Sequence, residues 1–196
     1  MAGSTGEPIG PFPAGADPVE YDKLRRRVLW KLVYGLYVLG SHAAEHPQQY
    51  QLMTITWVTQ VSFEPKLLAV SVEREALTHE LVHAGGSFSL CLLDREDRAV
   101  VRKFVKPVEV DLAGHTLNGF AFRTERTGAP ILEQAMAWLD CELRQEVPVG
   151  GHTLFIGEVV DCGFAPGASD AAGPDGGAGE DRLVLRMEDT RMNYGG

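Results

Sequence analysis

The chain opens with a helical pattern and then turns to strands. Asp17 followed by Pro18 and Glu20 reads as a helix start, with a capping carboxylate, a proline suited to the first turn and an acid near the positive dipole end. Tyr21, Leu24, Val28 and Leu32 recur at helical spacing, which puts them on one face and Arg25, Arg26 and Arg27 largely outside. From residue 33 the pattern becomes β-branched and aromatic. Residues 33–40 (VYGLYVLG) predict a first strand, 53–63 (MTITWVTQVSF) a second and, after Pro65, 66–73 (KLLAVSVE) a third. A short helix is predicted from Thr78, as its N-cap, to Ala84, with Gly85 and Gly86 ending it. Residues 87–93 form another strand, and 94–105 (DREDRAVVRKFV) a helix with acids at its start and bases at its end. Residues 135–143 alternate: Ala137, Leu139, Cys141 and Leu143 face one way, Trp138, Asp140 and Glu142 the other. Residues 152–160 are the expected neighbour of that strand, and 182–187 a late strand. Six or seven strands with few helices between them predict a mainly β fold with flanking helices, a small barrel.

Two segments interrupt this pattern. Residues 1–16 are rich in Gly, Pro and Ala and predict a flexible lead-in, and 165–179 (APGASDAAGPDGGAG) an extended loop between two strands. Residues 17–196 are then a single domain. Acidic residues outnumber basic ones 27 to 18 in the 196-residue chain, a net charge of −9 that argues against nucleic acid or anionic lipid as the main partner. Three cysteines do not make a disulfide framework, and the apolar stretch 32–44 is too short and too interrupted by glycine for a membrane span. These features fit a cytoplasmic protein.

His79-Glu80-Leu81-Val82-His83 matches H-E-x-x-H, in which two imidazoles on one helical face bind zinc and the glutamate polarises water. A catalytic zinc needs a third ligand, and the metzincin continuation would put histidine at 89, where Ser89 stands. His42-Ala43-Ala44-Glu45-His46 is the reversed pattern between Gly40 and Pro47, in a predicted loop. A zinc hydrolase using His79 and His83 is therefore one reading.

A second reading rests on five segments in order. Residues 34–40 (YGLYVLG), 53–73, 77–93 (LTHELVHAGGSFSLCLL), 149–163 (VGGHTLFIGEVVDCG) and the tail MNYGG together resemble the flavin reductase-like family, the FMN-binding split barrels. The resemblance implies a split β-barrel, FMN (or FAD) as cofactor, NAD(P)H as co-substrate, a homodimer and a possible partner monooxygenase. It implies cofactor contacts at Thr54, Thr56, Trp57, Thr59, Gln60, Val61, Ser62, Arg74, Thr78, His79 and Cys91, and substrate contacts at His152 and Tyr194. The sequence departs from the family pattern in having Gly151 before His152, Cys91 where Asn is common, Gln51-Leu52 for Asn-Gly and a longer glycine-rich loop.

The residues give this reading a physical basis. No G-x-G-x-x-G follows a strand, so a nicotinamide would dock on a surface cleft. The start of the 78–84 helix offers backbone N–H groups to the FMN phosphate, with Arg74 beside it. Thr54, Thr56, Thr59, Gln60 and Ser62 offer hydroxyl and amide partners to a ribityl chain. The flavin carries the redox chemistry, so no side chain need act as acid or base. A flavin-binding electron-transfer or sensor protein without turnover, and a split barrel that has lost flavin, are the remaining alternatives.

Overall fold

The computed structural model describes residues 8–46, 48–165 and 183–190. Helix α1 (Pro18–Leu29) begins as its sequence predicts, with the Asp17 carboxylate accepting the Glu20 N–H at 2.9 Å. None of its residues is buried, so the stripe from Tyr21 to Leu32 faces no core among the described residues. Phe12 stands edge-on to Tyr21 with Arg25 over its face, which folds residues 9–16 back along the helix.

Strand β1 (Tyr37–His42) starts later than the apolar run because Gly35 and Leu36 are used elsewhere. They pair with Leu185 and Arg186, so the late strand predicted at 182–187 is in fact a pair of isolated bridges. The single strand predicted over 53–63 is divided at Thr56–Trp57 into β2 (Tyr50–Ile55) and β3 (Val58–Ser62). β2 pairs with β1, whereas β3 pairs with β4 (Leu67–Glu73). Helix α2 (Leu77–Gly85) precedes β5 (Ser87–Leu92). The helix predicted over 94–105 shrinks to a 3₁₀ turn and α3 (Arg98–Val101). The reason is a competing demand: the Val101 carbonyl accepts the Thr54 hydroxyl at 2.6 Å and the Phe104 carbonyl accepts the Thr54 N–H at 3.0 Å, covering the open edge of β2.

The sequence pattern gave no sign of the short strands β6 (Val110–Asp111), β7 (Thr116–Leu117), β8 (Phe120–Thr124) and β9 (Pro130–Leu132), which make a second, four-stranded sheet. A long hairpin, β10 (Ala137–Val149) and β11 (His152–Phe164), completes the main sheet in the order β2-β1-β5-β10-β11-β4-β3. Its two edges, β2 and β3, are halves of one chain segment. The kink at Thr56–Trp57 carries that segment from one edge to the other, and the open sheet is a split barrel.

Both faces of this sheet are covered except at the edge strand β3. One presents Leu39, Val70, Phe88, Cys141 and Phe155 to Val82 of α2; the other presents Leu52, Cys91 and Trp138 to Val101 and Phe104 of the α3 segment and to Phe122 and Ile131 of the small sheet. The alternation read over 135–143 therefore does not separate core from solvent. Trp138 and Asp140 are buried as well, and a β-bulge at Asp140–Cys141 breaks the alternation.

Candidate flavin site

The kink between β2 and β3 exposes what a regular strand would pair. Thr56 is buried, and its hydroxyl has no hydrogen-bond partner among the described residues. Trp57 is held by its carbonyl, which accepts the Ser71 N–H of β4 at 3.0 Å, and its ring centroid lies 5.0 Å from that of His152. His152 opens β11 opposite Glu73. The loop after Glu73 fixes the hairpin turn: the Arg74 N–H donates to the Gly151 carbonyl at 3.0 Å, and the guanidinium donates to the Gly150 carbonyl. Trp57, Arg74 and His152 thus converge, though they lie 95 residues apart at the extremes.

Downstream of the kink, Thr59, Gln60 and Val61 are exposed and Ser62 is half-buried, so both faces of β3 are open to solvent. The Gln60 side-chain amide donates to the Ser62 carbonyl at 3.0 Å. Upstream, Thr54 is spent on the α3 segment and stands apart from this group. So does Cys91, which is wholly buried, receives the Leu132 N–H at 3.3 Å and has its thiol pushed up to about 12 by burial. Tyr194 and loop residues 166–179 lie outside the described residues.

Helix α2 begins two residues earlier than predicted, with Ala76 at the cap position in place of Thr78 and no side-chain cap. Thr78 is therefore its second residue. It shares a face with Leu81 and Val82, and this turns its hydroxyl into the protein, where it is buried without a partner among the described residues. The His79 N–H donates to the Ala76 carbonyl at 2.9 Å, and the uncapped first turn leaves the Leu77 and Thr78 N–H groups and the positive dipole end to a ligand. His79 shares a 2.8 Å hydrogen bond with the Thr153 hydroxyl and packs on Phe155; burial lowers its pKa, favouring the neutral ring. Because successive β11 side chains point to opposite faces, His79 meets the Thr153 face and Trp57 the His152 face. Arg74 lies on the connection between the two.

The zinc motif does not form a ligand set here. His83 is engaged with the Glu146 carboxylate at 2.9 Å, Glu80 lies 3.6 Å from His46, and among the described residues no three His, Cys, Asp or Glu side chains gather around a common point. Thr153, Glu146 and Gly150 are contributors that the sequence reading missed. Thr153 was the one with a signal, since it alternates with His152 and shares the face of the buried Phe155.

Two features make the region fit a flavin. Thr56 at the kink and Thr78 in the first turn of α2 each bury a hydroxyl with no partner among the described residues, and an arginine on the connection before an uncapped helix start suits a phosphate. No helix among the described residues is long and apolar enough to cross a membrane.

Comparison with known proteins agrees with this geometry. The chain is 33% identical over 129 residues to the NADH-dependent flavin reductase StyB of Pseudomonas fluorescens, covering 66% of this chain and 71% of that one. It is 30% identical over 141 residues to the high molecular weight rubredoxin of Moorella thermoacetica, covering 69% of this chain and 58% of that longer protein. The solved structure of the styrene monooxygenase flavin reductase from Pseudomonas putida S12 superposes with a TM-score of 0.61 at 32% identity, covering 72% of this chain and 87% of that one. The family model described as the flavin reductase like domain matches residues 29–181, most of the chain, and the protein belongs to that family.

Proposed function

We propose that this chain is an NAD(P)H-dependent flavin reductase acting as a cytoplasmic homodimer, with FMN preferred over FAD, that supplies reduced flavin to a partner monooxygenase. The observation carrying this reading is the β2–β3 kink, which brings Trp57 against His152 beside Arg74, on the connection that leads to the uncapped start of α2. The flavin, when bound, supplies the hydride-accepting ring. Trp57 supplies an apolar face for that ring, and His152 lines the approach of a nicotinamide. Thr56, Thr59, Gln60 and Ser62 offer partners to the ribityl chain. Arg74, by leaving the Gly150 carbonyl, and the first-turn N–H groups of α2 offer a phosphate seat. Similarity to a styrene monooxygenase flavin reductase supports the partner class. The two-face exposure of β3, with Phe63 beyond it, supports a second copy as neighbour, since an open apolar edge in water favours association.

Arg74→Gln tests the phosphate seat. Fluorescence titration of the variant should show FMN affinity reduced about tenfold with riboflavin affinity unchanged, the loss of one charge-assisted contact. An equal loss for both flavins, or none for either, would remove Arg74 from the site.

A further inference from the structure

Helix α1 lies almost entirely outside the family domain, whose match begins at residue 29, and none of its residues is buried among the described residues. Its 12 residues fall at the length where an isolated helix is marginal in water, so a stable α1 needs a packing partner. Phe12 and Arg25 cover Tyr21, but the rest of the stripe stays open: Leu24 is 50%, Val28 61% and Leu32 55% exposed, and Trp30 and Val33 are exposed beside them.

Charge indicates the partner. Residues 18–33 hold Lys23, Arg25, Arg26, Arg27 and Lys31 against Glu20 and Asp22, a net +3 in a chain of −9. The other residues then carry 13 basic and 25 acidic side chains, a net of −12. A basic, apolar helix and an acidic body are complementary, and every copy of the chain carries both. We infer that α1 docks on a second copy of this chain, its Leu24–Val28–Leu32 stripe against apolar surface and its arginines against the acidic body. A symmetric pair would exchange two such arms, each arm gaining from its neighbour the cover it lacks at home.

This inference rests on the homodimer reading, and the test separates the two. Hydrogen exchange of the full chain is followed across a dilution series, with sedimentation measured on the same samples. Where the chain sediments as a dimer, α1 amides should exchange at least about tenfold more slowly than after dilution to monomer. Leu24→Glu with Val28→Glu, at exposed positions that spare the core, should abolish that protection, and raising salt to about 1 M should weaken it as screening shortens to about 3 Å. A dimer with unprotected α1 would overturn the inference and leave the dimer reading intact. A chain monomeric at every concentration would overturn both. Protection that does not depend on concentration, or that arises only with vesicles of anionic lipid, would also overturn it.

Discussion

Replacing Gly85 with alanine sets two effects of opposite sign against each other. Gly85 is the last residue of α2, where alanine has the better helix propensity by about 1 kcal/mol. The surroundings oppose the gain. A Cβ at 85 would overlap the His42 carbonyl oxygen and lie 2.9 Å from its carbon and 3.5 Å from Ala43 Cα. Carbon atoms settle about 3.5–4.0 Å apart, so relieving the carbon contact alone lifts α2 from β1 by about 1 Å, and the oxygen overlap demands more. That lift strains the Leu143 N–H bond to the Gly86 carbonyl (2.8 Å), the His83–Glu146 pair and the His79–Thr153 hydrogen bond. Overpacking of this kind costs about 1–3 kcal/mol, and weakening one such tie adds about 1 kcal/mol, so sterics win. Gly85→Ala is expected to lose about 1–3 kcal/mol in urea unfolding and, because α2 carries Thr78 and His79, to bind FMN more weakly. A variant more stable than the parent by the propensity increment, with unchanged FMN affinity, would refute the steric reasoning.

Further expectations concern groups buried around the site. Thr78→Val removes a hydroxyl that has no partner among the described residues, so the unliganded protein should gain about 1 kcal/mol, or about 2–4 °C in Tm, while FMN binding weakens; a loss of stability would show that the hydroxyl is bonded in solution. Asp140 accepts the Thr127 N–H at 2.8 Å and its hydroxyl at 2.5 Å, and burial nevertheless holds the carboxyl above its ordinary 3.8. The native state therefore holds that proton more tightly than the unfolded chain. Relative to Asp140→Asn, the parent should gain stability as pH falls through the raised native value and level off below 3.8; urea midpoints at several pH values with a constant gap between the two proteins would contradict this.

The strand-rich pattern, the capped start of α1 and the pairing of the two late strands were legible because each is local: a capping carboxylate, β-branched runs, period-two alternation. The division at Thr56–Trp57 was not. Residues 53–63 are uniformly strand-like, and only their partners, β1 for one half and β4 for the other, decide that the segment bends. Thr78 has the chemistry of a cap, but the demand that it face inward with Leu81 and Val82 outweighed that local preference. Trp57 and His152 were each singled out, and their meeting at 5.0 Å depends on a sheet order that no local signal carries. The H-E-x-x-H pattern shows the same limit in reverse. Its spacing is right for two ligands, but the fold engages His79 with Thr153 and His83 with Glu146.

The central claim is catalytic, and the most direct measurement is the rate of NADH oxidation by the purified chain as FMN is titrated in, followed at about 340 nm. The account predicts a rate that rises with FMN, saturates, scales with protein concentration and falls for Trp57→Ala. A rate no greater than that of FMN and NADH without protein would contradict it.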